Sequence, residues 1–319
     1  MSFDRASYVW MSGKLVPWSE ASVHVSAHSL HLGSGIFEAL RCYETESGSA
    51  IFRLDAHLER LWQSASVYEM AIPFTRGQLE DAICETILSN GLSDCYIRVL
   101  CYYGSGSLGV FPRQCPVEVT ILAWTLGTYI GSEALKRGAS VTVSSWVKFH
   151  SQMMPTTAKA SGQYLNSLLA LREALDRGCD EALLLDLHGN LAEGSGENIF
   201  IVRDGVLKTN DARSSILMGI TRDSVIRIAG DLGYEVEVGE LSLEELLASD
   251  EAFFTGTAAE VTPIREVDGK PLGRSVPGPI TAQLQESYFA AINGKDSRYK
   301  DWLRFLDRST AGYSRSHRV

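Results

Sequence analysis

Hydrophobic positions change their period along the chain, and the changes mark out strands and helices. Tyr8-Val9-Trp10-Met11 and Leu15-Val16-Pro17 flank Ser12-Gly13-Lys14 and predict a hairpin. Alternation over 36–44 and 50–53 predicts a second strand pair. From Asp55 the period lengthens: Leu58, Leu61, Trp62 and Ala65 recur at helical spacing. A second helix over 76–90 carries Leu79, Ile83 and Ile87, and strands follow at 95–103 and 117–125. The first 125 residues therefore read as an α+β unit.

After a connector over 127–134 the pattern restarts, with a strand over 139–146, a loop over 147–163 and a helix over 164–177. A meander follows: strand 181–187, turn His188-Gly189-Asn190, strand 198–202, turn Asp204-Gly205, strand 206–208. Asp-Gly suits a two-residue turn because both residues tolerate positive φ. A helix over 221–233 carries Val225, Ile228, Ala229 and Leu232 on one side. Ser242-Leu243-Glu244-Glu245 reads as a capping box, 253–255 as a strand and 277–293 as a last helix. These elements predict a small N-terminal α/β domain (1–126) and a larger C-terminal one (135–306), with a polar tail over 307–319.

Composition narrows the function. The 319 residues are 45% hydrophobic and 21% charged, which is globular and excludes a disordered or fibrous chain. A net charge of −10 and a pI of about 5.2 repel phosphate backbones and anionic membranes. No run of about 18 apolar residues predicts a membrane span. Met1-Ser2-Phe3-Asp4-Arg5 opens no apolar signal stretch. Cys42, Cys84, Cys95, Cys101, Cys115 and Cys179 form no C-x-x-C pair and read as reduced thiols of a cytoplasmic protein.

Several segments hold candidate chemistry, and each has a plainer reading beside it. Lys159 lies among small residues in MMPTTAKASGQYLNS (153–167), just before a helix. Desolvated there, it becomes a nucleophile for carbonyls; taken alone, a surface loop lysine is the commoner reading. In LAEGSGENIF (191–200) the glycines let the backbone approach a planar ligand, and a buried Glu193 could hold a protonated ring nitrogen. The alternative is a glycine-rich turn with solvated acids. In SSILMGITRD (214–223), Gly219 and Ile220 precede Thr221, which either caps a helix or belongs to an anion site at its N-terminus. TGTAAEVTP (255–263) adds a glycine turn with hydroxyls. Arg60 falls off its helix's apolar stripe and reads as solvated. Tyr96 and Arg98 share one strand face, suited to a carboxylate or simply exposed. His24, His28 and His31 lack the acid or cysteine that would complete a metal set. No Walker loop or strand-linked G-x-G-x-x-G occurs.

In this order the pieces resemble the class IV aminotransferases, the fold-type IV enzymes that use pyridoxal 5'-phosphate. The shared blocks are VHVSAHSLHLGSGIFEALRCY, FRLDAHLERL, YIR, TAKASGQYLNSLLALREA, AEGSGENIF, GITRD and FTGTAAEVTPI, spanning about Tyr8 to Leu272. The pattern is most similar to that of the bacterial branched-chain amino-acid aminotransferases. The resemblance implies two α/β domains with the active site in the cleft between them, and a homodimer or higher homo-oligomer. It implies small amino-acid and keto-acid substrates, and no nucleic acid, membrane or metal partner. Lys159 would form the Schiff base, Glu193 would pair with the pyridine nitrogen and Tyr164 with the phenolic oxygen. Arg60, the N–H groups of Ile220 and Thr221, Gly256 and Thr257 would hold the phosphate. Thr257 and Ala258 would cradle the α-carboxylate with help from Tyr96, and Arg98 would take the distal carboxylate of 2-oxoglutarate.

Four family motifs are altered near the implied substrate pocket, which Phe37, Val110 and Tyr129 would also line. H-Y-G becomes His31-Leu32-Gly33, F-E-G becomes Phe37-Glu38-Ala39, P-W-G becomes Thr125-Leu126-Gly127, and G-V-N-P becomes Gly109-Val110-Phe111-Pro112. A lost hydroxyl and a lost indole imply a roomier, more apolar site and a shifted or broader donor range. Within the fold, the alternatives are a D-amino-acid or (R)-amine transaminase and an aminodeoxychorismate-lyase type. Outside it, the alternative is a non-catalytic protein that binds the cofactor or a phosphate ligand.

Overall fold

The computed structural model describes residues 6–127, 130 and 132–307. Two units form. One takes the chain up to Leu126 together with Ala158–Gly162 and the residues from Ala291 onward; the other takes Gly127–Thr157 and Gln163–Ala290. The linear division expected from the sequence therefore needs correcting, because two later segments fold with the first unit. The physical reason is strand pairing: Ala160 bridges Ile36, and the short strand Leu303–Phe305 pairs with Phe52, Ile51 and Ala50.

The first unit is a seven-stranded sheet with its two long helices packed on one face. Its strands are β1 (Tyr8–Met11), β2 (Lys14–Pro17), β3 (Gly35–Thr45), β4 (Gly48–Phe52), β5 (Cys95–Tyr103), β6 (Val117–Trp124) and Leu303–Phe305. Their order is Leu303–Phe305, β4, β3, β5, β6, β1, β2, and every pairing is antiparallel. The helices are α1 (His28–Leu32), α2 (Leu54–Val67) and α3 (Arg76–Ser89). α3 starts where it does because Thr75 and Gln78 form a reciprocal capping box.

Strand alternation gives this sheet two different faces. Ile36, Leu40, Ile97, Val99, Val119 and Ile121 point into a core with Leu58 and Leu61 of α2 and Leu79, Ile83 and Ile87 of α3. The opposite face carries Phe37, Ala39, Tyr96, Arg98 and Trp124. Register fixes their neighbours: Ala39 faces Arg98, and Tyr96 faces Trp124.

The second unit is a nine-stranded mixed sheet. It contains β7 (Ala139–Val143), β8 (Glu181–Leu185), β9 (Leu191–Gly194), β10 (Asn198–Arg203), β11 (Val206–Thr209), β12 (Val236–Val238), β13 (Glu251–Gly256), β14 (Glu260–Val267) and β15 (Lys270–Pro271). The order is β12-β11-β10-β13-β14-β7-β8-β9, with β15 on β14. Its helices are α4 (Ser132–Arg137), α5 (Tyr164–Asp176), α6 (Ile220–Asp231), α7 (Leu243–Leu247) and α8 (Pro279–Ile292). Val141, Leu183, Leu191, Ile199, Ile201, Phe254 and Ile264 form the core.

Three sequence expectations shift here, each for a local reason. The 139–146 strand stops at Val143 because the Glu173 carboxylate takes the Ser144 hydroxyl and the Ser145 N–H. The 181–187 strand ends at Leu185 because Asp186 Oδ1 accepts from the N–H groups of His188 and Asn190, forming a turn. The helix expected from Thr221 starts at Ile220 with Gly219 as its N-cap, so Thr221 sits in the first turn and is not the cap. The Ser242–Glu245 capping box forms as the sequence predicts.

Candidate active site

Lys159 lies in the short segment Ala158–Gly162, which belongs to the first unit although the chain on either side of it, up to Thr157 and from Gln163, belongs to the second. Its carbonyl accepts from the Phe37 N–H at 3.0 Å and its N–H donates to Ser64 Oγ at 2.9 Å. Both backbone groups are therefore held by β3 and α2. Its ammonium lies 5.0 Å from the centre of the Phe37 ring. Burial, and next the Arg60 guanidinium, bring its pKa down from 10.5 to about 8.

Arg60 is buried rather than solvated, which corrects the reading from periodicity. Its Nε donates to Glu38 Oε1 at 2.6 Å and its Nη2 to Oε2 at 2.9 Å. His57 Nδ1 donates to Oε2 at 2.7 Å, the role fixed by an acceptor-only carboxylate. Burial alone would raise the pKa of Glu38, but Arg60 and His57 hold it well below the usual carboxylate range. Burial lowers the pKa of His57 despite the opposing pull of Glu38. The trio is a buried polar wedge on the helix side of the sheet.

On the opposite sheet face the Arg98 guanidinium lies 4.5 Å from the Phe37 ring centre and 5.7 Å from that of Tyr96. Arg98 Nε is buried and has no hydrogen-bond partner among the described residues. A half-buried guanidinium whose buried Nε is an unused donor, set over two aromatic rings, is equipped to take an anion. Trp124 packs against Tyr96 with ring centres 5.0 Å apart. Ala39 and Leu126 are buried, whereas Leu32 and Val110 are exposed, Val110 to 91%. Tyr129 lies outside the described residues.

In the second unit Glu193 is a strand residue of β9 and buried, so the glycine-rich stretch is not a solvated turn. Its Oε1 meets the Lys148 ammonium at 2.6 Å. Its Oε2 accepts from Asn198 Nδ2 at 3.2 Å and from the Leu217 N–H at 3.1 Å. No side chain caps α6, where Ile220 and Thr221 are buried in the first turn. Gly219 is required there: a Cβ would sit 1.9 Å from Asn198 Oδ1. Gly256 ends β13, and Thr257 and Ala258, both half-buried, form the turn into β14. Tyr164 is the first residue of α5 and half-buried.

Sequence reasoning missed Glu38, His57, Ser64, Lys148 and Asn198. A signal existed for the α2 set, since His57, Arg60 and Ser64 fall at i, i+3 and i+7, a polar stripe beside the apolar one. The histidines of VHVSAHSLHLG serve loop structure. His28 bonds Ser34 Oγ and the Gly109 carbonyl, and His31 the Val25 carbonyl.

The family described as Amino-transferase class IV matches residues 35–267. The branched-chain-amino-acid aminotransferase of Pseudomonas aeruginosa is 45% identical over 94% of this chain and 97% of its own length. That of Escherichia coli K12 is 42% identical over 95% and 98%. The crystal structure of the T.th. branched-chain amino acid aminotransferase with pyridoxamine 5'-phosphate superposes with a TM-score of 0.91 at 48% identity, covering 95% and 99%. The Escherichia coli enzyme gives 0.93 at 42% identity, covering 95% and 100%.

Proposed function

Because the chain belongs to the class IV aminotransferases, fold-type IV enzymes that work with pyridoxal 5'-phosphate, we propose that it moves amino groups from L-branched-chain and other apolar amino acids to 2-oxoglutarate by ping-pong chemistry. The observation that carries this reading is Lys159. Its backbone is anchored on both sides, and its side chain is desolvated enough to act as a neutral amine near physiological pH.

The residues fit the cofactor. An ionised carboxylate offers about four lone-pair directions; three donors reach Glu193, which leaves one for a ring N–H. The α6 N-terminus, free of a side-chain cap, offers the N–H groups of Ile220 and Thr221 to a phosphate. Arg60 and the hydroxyl of Thr257 complete the anion's set. When bound, the cofactor supplies an electron sink for the charge left at the amino acid's α-carbon. The protein does the rest. Lys159 takes the α-proton and returns it, Glu193 holds the proton of the ring nitrogen, and Tyr164 bonds the phenolic oxygen. Gly256, Thr257 and Ala258 with Tyr96 orient the α-carboxylate. The unused donor of Arg98 takes the distal carboxylate of 2-oxoglutarate.

A homodimer completes the reading. Leu165, Leu168, Leu169 and Leu175 leave an apolar face exposed on α5, which supports cover by a second copy. Leu32 and Val110 then reach the partner's pocket edge. The free thiols support a cytoplasmic location, and no described helix is long and apolar enough to cross a membrane.

The test mixes the cofactor-loaded enzyme with single amines and follows the loss of its visible absorbance. L-Leucine, L-isoleucine, L-valine and larger apolar L-amino acids react, and D-enantiomers do not. Strict preference for the three branched-chain donors would contradict the broader range read from Leu32, Ala39 and Leu126. Borohydride trapping and mass spectrometry place the attachment on Lys159; another lysine would sink the site assignment.

A further inference from the structure

Glu193 does not stand alone in the second unit, and the residue beside it is the informative one. Lys148 sits in the segment after β7, and its N–H is bonded to the Leu185 carbonyl at 2.8 Å, which ties it alongside β8. Its ammonium reaches Glu193 Oε1 at 2.6 Å, and the two side chains are only 8% and 9% exposed. The ammonium also lies 4.6 Å from the Phe149 ring centre. The sequence around it, Trp146-Val147-Lys148-Phe149, is apolar apart from this one charge.

Burying a carboxylate favours its neutral form, and a nearby cation restores the charged one. A ring N–H facing a buried glutamate with no second cation has an alternative: its proton crosses to the carboxylate and both groups become neutral. A cation already seated on the carboxylate opposes this by supplying its counter-charge at contact distance. It also fixes the carboxylate plane, since Oε1 is held by Lys148 while Oε2 is held by Asn198 and Leu217.

We propose that Lys148 is the positioning residue that holds the Glu193 carboxylate aimed and supplies its counter-charge, so that Glu193 holds the proton on the cofactor's ring nitrogen without removing it. The inference rests on the assignment of Glu193 above. Its test uses holoenzyme carrying cofactor labelled with ¹⁵N at the ring nitrogen, whose chemical shift reports protonation directly. Wild type, Lys148→Arg, Lys148→Met and Glu193→Gln are compared, with kcat and KM measured alongside. The wild type shows a protonated nitrogen. Lys148→Met moves the shift toward the neutral form and lowers kcat at least about tenfold, the equivalent of one pKa unit, with KM little changed. Lys148→Arg, which keeps the charge, restores the protonated signal and most of kcat. Should the methionine variant fail to fold, Lys148→Gln carries the same comparison.

A protonated signal and full kcat in the neutral variant overturn the proposal. So does an arginine variant as impaired as the methionine one, because Lys148 would then only fill space. A shift in Glu193→Gln without one in Lys148→Met overturns this inference alone. No shift in Glu193→Gln overturns the Glu193 assignment beneath it.

Discussion

Arg60 shows what periodicity misses at a single position. Counting from the leucines of α2 puts it off the apolar stripe, yet it is buried because Glu38, nineteen residues before His57 in sequence, reaches it from β3. A pairing between distant segments leaves no local pattern. Glu38→Gln would remove the carboxylate that Arg60 meets through two hydrogen bonds in a buried setting, a cost of about 3 kcal/mol, read as a lower denaturant midpoint. Because the folded pKa of Glu38 is depressed, its contribution is present above the ordinary carboxylate range and is lost only as pH falls through the depressed value. Lys159 titrates in the other direction. With its pKa lowered to about 8, its reactive neutral fraction rises roughly tenfold per pH unit below that value and levels off above it. Cofactor capture by the apo-protein, followed by stopped-flow absorbance, should show that profile; a plateau beginning near pH 10 would contradict it. The small residues around Lys159 alone favoured a surface loop lysine, only the order of motifs along the chain singled it out, and the groups packed around it left no local pattern.

Among the elements, long periodic ones were legible and short ones next to the site were not. α2 starts one residue before its expected start and α3 matches its expected bounds to within a residue, whereas the short α1 was not expected; the α7 capping box could be read from four letters. β9 was missed because LAEG alternates too briefly to signal a strand and glycine reads as a breaker. Its pairing with β8 supplies what propensity does not. The start of α6 is the element on which this region turns. Gly219→Ala would drive a methyl into Asn198, whose amide bonds both Glu193 and the Leu217 carbonyl. Cofactor affinity should fall about tenfold with little change in thermal midpoint, measured by fluorescence titration beside a melting curve. Unchanged affinity would mean that Asn198 is dispensable.

At the scale of the whole molecule, composition and element order gave an α+β reading with two units, but not the segments that cross between them. Ala158–Gly162 and Leu303–Phe305 close exposed edges of the first sheet. A chain ending at Leu126 would keep most of the first unit's core and lack both. Open edges template strand addition, so that fragment should elute as large aggregates in size-exclusion chromatography; a monodisperse folded monomer would contradict this.

The late arrival of Leu303–Phe305 also has a consequence during synthesis. At roughly 5–20 residues per second, its partner β4 leaves the ribosome about 13–50 seconds before it. For that interval the nascent protein carries an unprotected flank, which is covered only once Leu303–Phe305 has been made.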